Sequence, residues 1–119
     1  MPFKRILTEL VAAVPGASGA ILADWEGEAV EQSCLYDDYE LKFIGAHQGI
    51  ILNRMKEAHS ELAVGGLREA VISTEGDRFI IGPIGPDYVL VMTLGRKAIV
   101  GQAVHHFRAS VTLLAKEIY

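Results

Sequence analysis

The stretch Tyr88-Val89-Leu90-Val91-Met92-Thr93-Leu94 decides the fold, because as an extended chain it is apolar on both faces. Such a strand belongs at the centre of a sheet with helices packed on both sides, which implies three layers. Ala17 to Ala23, a nearly continuous run of small apolar residues, shares this character.

Working outward from the central strand, the sequence predicts strands over Leu67 to Thr74 and Arg78 to Ile84. The turns Glu75-Gly76-Asp77 and Gly85-Pro86-Asp87 link these segments. Gly82-Pro83-Ile84-Gly85 superficially resembles a glycine-rich loop, but it follows a strand into a turn and opens no helix, so it reads as an edge or bulge feature. Upstream, Ala17 to Asp24 and Glu28 to Cys34 form a hairpin about Asp24-Trp25-Glu26-Gly27. In its second arm Val30 and Cys34 face one way and Glu31 and Ser33 the other, while Glu28 and Gln32 dilute the apolar side. That polarity predicts an edge strand.

Three segments carry helical periodicity. Phe3, Ile6, Leu7, Leu10, Val11 and Val14 make a stripe that ends at Pro15-Gly16. Val100, Ala103, Val104, Phe107, Val111, Leu114 and Ile118 make another, within a helix from about Lys97 to Ile118. Between them a helix runs from about Tyr39 to His59, and Asp37-Asp38 ahead of it reads as a cap for its first turn in preference to an acid/base dyad. The order is α-β-β-α-β-β-β-α: a single domain over residues 1–119, built as a three-layer α/β/α sandwich around a five-stranded, mainly antiparallel sheet. With three helices for two faces, one face holds a lone helix, and the middle helix is the candidate.

At ~100° per residue, Leu41, Ile44, Ile51, Leu52 and Met55 of that helix form one apolar face. Phe43 and Ile50 point nearly opposite, where a helix that only covered its own sheet would be polar. Gly45 and Gly49 lie one turn apart between the faces. Glycine in a helix interior costs about 1 kcal/mol relative to alanine, so a compensating contact is expected. Either another backbone approaches there in self-association, the preferred reading, or the glycines pack on the helix's own sheet.

Composition excludes several functions. Half of the residues are hydrophobic and 22% are charged, the balance of a packed globular chain. Fifteen acidic against eleven basic residues, net −4, with no basic run, argue against a nucleic-acid partner. Cys34 is the lone cysteine, so no internal disulfide forms, and the charged start Met1-Pro2-Phe3-Lys4-Arg5 reads as a mature cytosolic N-terminus. Apolar runs are strand-sized, against the ~20 residues that span a bilayer, so membrane insertion is not expected.

No Gly-x-x-x-x-Gly-Lys-Ser/Thr cradle for nucleotide phosphates is present. His105 and His106 diverge by ~100° on a helix and point away from the Phe107 stripe. His47 and His59 have no companion at ligand spacing, and Cys34 has no nearby histidine to activate it. The expectation is a non-enzyme with no metal and no cofactor.

Several segments carry a family resemblance: Leu10-Val11-Ala12-Ala13-Val14-Pro15-Gly16-Ala17 running into Gly19-Ala20-Ile21-Leu22, then Asp24-Trp25-Glu26-Gly27-Glu28. Ile72-Ser73-Thr74-Glu75, Pro83-Ile84 and Leu94-Gly95-Arg96 follow at matching places. In these and in its element order the chain resembles the Roadblock (dynein light chain) family, including its bacterial MglB-like branch. The resemblance implies a Roadblock/profilin-like fold and homodimers that join sheets through the third strand and set the middle helices side by side. It also implies binding of small Ras-like GTPases, as activators or scaffolds, or the bridging of larger assemblies.

On this chain the interface so implied comprises Phe43, Gly45, Ala46, Gly49, Ile50 and Arg54 of the middle helix, with Arg68 and Ala70 near the third strand. Arg54, Arg68, Arg78 and Arg96 are exposed candidates for an arginine acting on a partner's GTP; an activator that reshapes the GTPase's own switch segments needs none. The chain ends directly after the last helix, without the extensions some MglB-type members carry. A small-molecule sensor domain and a purely structural assembly subunit are the alternatives.

Overall fold

The structure, a computed structural model, describes residues 2–35, 38–60 and 66–119, apart from the side chains of residues 38, 39, 43, 59 and 60. The capping role expected of Asp37-Asp38 therefore lies outside the described residues. The elements are α1 (Pro2–Ala13), β1 (Ala17–Asp24), β2 (Ala29–Cys34), α2 (Asp38–Ser60), β3 (Ala70–Ser73), β4 (Arg78–Ile84), β5 (Tyr88–Leu94) and α3 (Val100–Ile118), in the order the sequence predicts.

The sheet runs β2-β1-β5-β4-β3, and its pairings are antiparallel. The doubly apolar β5 is central, as its composition requires. Side chains alternate between two cores. On one face α1 and α3 pack Leu7, Leu10, Val11, Phe107 and Leu114 against Ala20, Leu22, Ile80, Leu90 and Met92. On the other, α2 alone sets Leu41 and Leu52 against Ile21, Phe79, Ile81, Val89 and Val91. The lone helix is the middle one.

Two elements begin three residues later than the sequence reading has them, and other limits move by a single residue. The third strand is Ala70–Ser73, not Leu67 to Thr74. The reason is Gly82: the carbonyl of Arg68 lies 2.5 Å from where a Cβ on Gly82 would stand, with the Phe107 ring at 3.0 Å. The segment ahead of β3 thus crosses close over β4 before it can pair. Because β3 pairs with β4 only from Arg78 to Ile81, Pro83 lies beyond the covered part, where its missing N–H leaves no ladder bond unmade. The last helix starts at Val100, not Lys97, after Ile99 takes the N-cap with extended backbone.

In β2 the register shifts between Leu22 and Ala23 of the neighbouring strand. This irregularity re-phases Val30, which lines a crevice with Phe3, Leu22 and Ile118, whereas Cys34 packs against the α2-side core. Val30 and Cys34 therefore do not share a face; strict alternation fails at the bulge.

Tertiary bonds tie down the turns. The Trp25 indole N–H donates to the Pro86 carbonyl at 2.8 Å, joining the β1–β2 turn to the β4–β5 turn, and Lys56 sits 4.3 Å over the Trp25 ring.

Candidate functional site

The surface of interest is built on α2, the lone helix of its face, and β3, an outer strand. On α2 the buried positions are Leu41, Gly45, Gly49 and Leu52. A Cβ on Gly45 would stand 3.1 Å from Ile21 side-chain carbons, and one on Gly49 would stand 3.8 Å from Val89. Both glycines therefore serve close approach of α2 to its own sheet, so the self-association reading of Gly45 and Gly49 is corrected. Ala46 also turns inward, onto Gly27 of the β1–β2 turn.

With the glycines facing the sheet, the apolar face centres on Leu41 and Leu52. Ile51, assigned to that face by periodicity, is instead 38% exposed, beside Ile50 at 58%. Arg54, one turn beyond Ile50, is exposed too. The Phe43 side chain lies outside the described residues. Ile44, seven residues before Ile51 and so at nearly the same angle, lines a crevice with Phe79 and Asp77. Ile51 hence lies on the side of α2 away from Ala46 and the β1–β2 turn, the side that looks toward β4.

On β3, Ala70 and Ile72 pack into the α2-side core, so Ala70 is not a surface residue in the sense expected of it. Val71, which the sequence reading passed over, is 43% exposed. It turns to the face opposite α2, where α3 does not cover this outer strand. Arg68 is exposed and lines a cleft of about 300 Å³ with Pro83, Phe107 and Arg108, at whose rim Arg108 pairs with Glu69.

Of the remaining arginines, Arg96 donates to the Glu75 carbonyl at 2.6 Å. Arg78 is half-buried, donating to the Ala98 carbonyl at 3.2 Å, which removes it from the exposed candidates. The site is thus the exposed apolar pair Ile50 and Ile51 with Arg54 on α2, suited to another protein surface, while Val71 and Arg68 lie at the β3 edge on the opposite face of the sheet. His105 and His106 make an edge-on ring contact at 5.3 Å on α3, and among the described residues no group of three His, Cys, Asp or Glu is placed to hold a metal. No described helix is long and apolar enough to cross a membrane.

Among solved structures, a Roadblock/LC7 domain from Streptomyces avermitilis is 17% identical, with 97% of this chain and 96% of that one covered at a TM-score of 0.87. MglB of Myxococcus xanthus is 12% identical over 99% of this chain and 95% of its own, at 0.88. An MglB in a tetrameric arrangement is 19% identical over 97% and 88%, at 0.85. At these identities the likeness establishes the fold. No curated protein sequence matches significantly. The family model of the Roadblock/LC7 domain, however, matches residues 4–94; by that match the chain belongs to the Roadblock/LC7 domain family.

Proposed function

We propose that the chain is a single Roadblock domain, over residues 1–119, that works in the cytoplasm as a homodimeric adaptor or activator of a small Ras-like GTPase and performs no chemistry of its own. The observation that carries this reading is the pair Ile50 and Ile51, exposed on a helix whose other side already covers the sheet. Family membership and the likeness to MglB supply the class of partner.

The sheet offers β3 as an outer strand, and two copies that pair β3 to β3 would set their α2 helices on the same face of the joined sheet, where Ile50 and Ile51 could be covered. The MglB in a tetrameric arrangement supports self-association as a habit of this fold. Arg54 stands exposed beside Ile50, and Arg68 stands exposed at the cleft beside α3; both suit an acidic or phosphate-bearing surface of a partner.

Purified protein mixed with Ras-like GTPases from the same genome, loaded with GTP or GDP, tests the proposal. The expected result is a complex on gel filtration with at least one of them, favoured by GTP by about tenfold, or 1.4 kcal/mol. Stable self-association with no nucleotide-dependent complex and no change in hydrolysis would instead identify a purely structural subunit.

A further inference from the structure

The two outer strands are finished differently. In an antiparallel pair, alternate residues turn both backbone groups toward the neighbour and the others turn them away. At the β1–β2 pair, Leu35 donates its N–H to the Ser18 carbonyl at 2.8 Å, and the register sets Ala20 opposite Ser33 and Ile21 opposite Gln32. Counting from Leu35, Ser33 turns toward β1 and Gln32 turns outward, at the free edge of the sheet.

Both outward groups of Gln32 are taken by charged side chains of the same chain. Its N–H donates to Glu31 Oε1 at 3.1 Å. Its carbonyl accepts from Lys4 Nζ, which reaches over from the first turn of α1. One turn further along α1, the Thr8 hydroxyl meets the Ser33 hydroxyl at 3.2 Å, so the helix runs along this edge, and the bulge beside Ala23 breaks the register of β2. A strand arriving here would have to displace two hydrogen bonds to charged groups and meet a bent partner.

Among the described residues, the opposite edge has no such closure. Thr74 donates its N–H to the Asp77 carbonyl at 2.8 Å, so Ile72 and Ala70 face β4, and Val71 and Ser73 turn outward. Among the described residues, no side chain is recorded donating to or accepting from the backbone of Val71 or Ser73.

We propose that Lys4 and Glu31 form a latch that closes the β2 edge to strand addition, leaving the sheet extendable through β3 alone. Self-association then ends at a closed pair instead of running on as an open filament. The closed-pair endpoint rests on the reading of β3 as the self-association edge; the closure of β2 stands without it.

The test is sedimentation velocity over a concentration series on the Lys4→Ala/Glu31→Ala double variant. Its mass is expected to rise with concentration to about twofold or more above wild type, as an uncovered edge recruits strands. Lys4→Arg/Glu31→Gln, which keeps a donor and an acceptor, is expected to stay at the wild-type mass. A folded double-alanine variant with the wild-type mass at every concentration overturns the latch. Should that variant not fold, each single alanine substitution is read the same way, and folded single variants of unchanged mass overturn it equally. Repeating the series with Ile50→Asp/Val71→Lys separates the two readings. If those substitutions leave the wild-type mass unchanged, the β3 reading fails, while a rise on removing Lys4 and Glu31 in the same background still supports the latch.

Discussion

Replacing Phe107 with alanine is expected to lower the free energy of unfolding by about 3–5 kcal/mol, the usual cost of deleting a fully buried aromatic ring. Phe107 is 1% exposed. It anchors α3 to the face it shares with α1, in contact with the apolar side chains of β1, β4 and β5. The ring also lies against Gly82, under the crossing of the segment that leads into β3. The cavity left by alanine would therefore loosen the helix layer and the crossing together. For a domain whose whole stability is expected at about 5–15 kcal/mol, such a loss is large, and a urea melt reads it directly. A change below about 1 kcal/mol would mean that the site collapses without a void.

The second large effect is expected at Gly82. Its Cβ position is 2.5 Å from the Arg68 carbonyl oxygen, a backbone atom that cannot rotate away. Gly82→Ala must lift the crossing segment or push β4 aside, so a loss of about 3 kcal/mol is expected, at the upper end of ordinary overpacking. The consequence reaches the site: β3 follows two residues after Arg68 and pairs with β4 from Ala70 to Ser73. Amide exchange of Phe79 and Ile81, which face β3, is expected to speed up in the variant while that of the central strand stays slow. Unchanged stability and exchange would contradict the crossing.

Much of this architecture was legible in the residues. The strands Ala17–Asp24, Arg78–Ile84 and Tyr88–Leu94 appear where the sequence predicts them, because each is an apolar run bounded by residues with turn chemistry. The central position of β5 follows from its two apolar faces. The third strand was overextended since Leu67 to Glu69 fit a strand pattern, and the close approach that keeps them out of the ladder comes from a glycine distant in sequence, Gly82.

The interface was harder to read. Periodicity counts side chains, and Gly45 and Gly49 contribute none, so the sheet-facing side of α2 was centred too far toward Ile51. Once the two glycines are placed on Ile21 and Val89, Ile51 moves to the outside with Ile50. Ala46 and Ala70 belong to the interface that the resemblance implies, whereas their side chains serve the hairpin turn and the α2-side core. Val71 was invisible to a reading of single strands: its exposure depends on where α3 ends its cover.

The central claim, self-association through α2 and the β3 edge, is tested most directly by light scattering on wild type and on Ile50→Asp/Val71→Lys. An aspartate at the patch and a lysine on the outer strand are both unfavourable to pairing. Wild type is predicted at twice the 12.9 kDa chain mass and the variant, still folded, at the mass of a single chain. The same mass for both proteins would contradict the account.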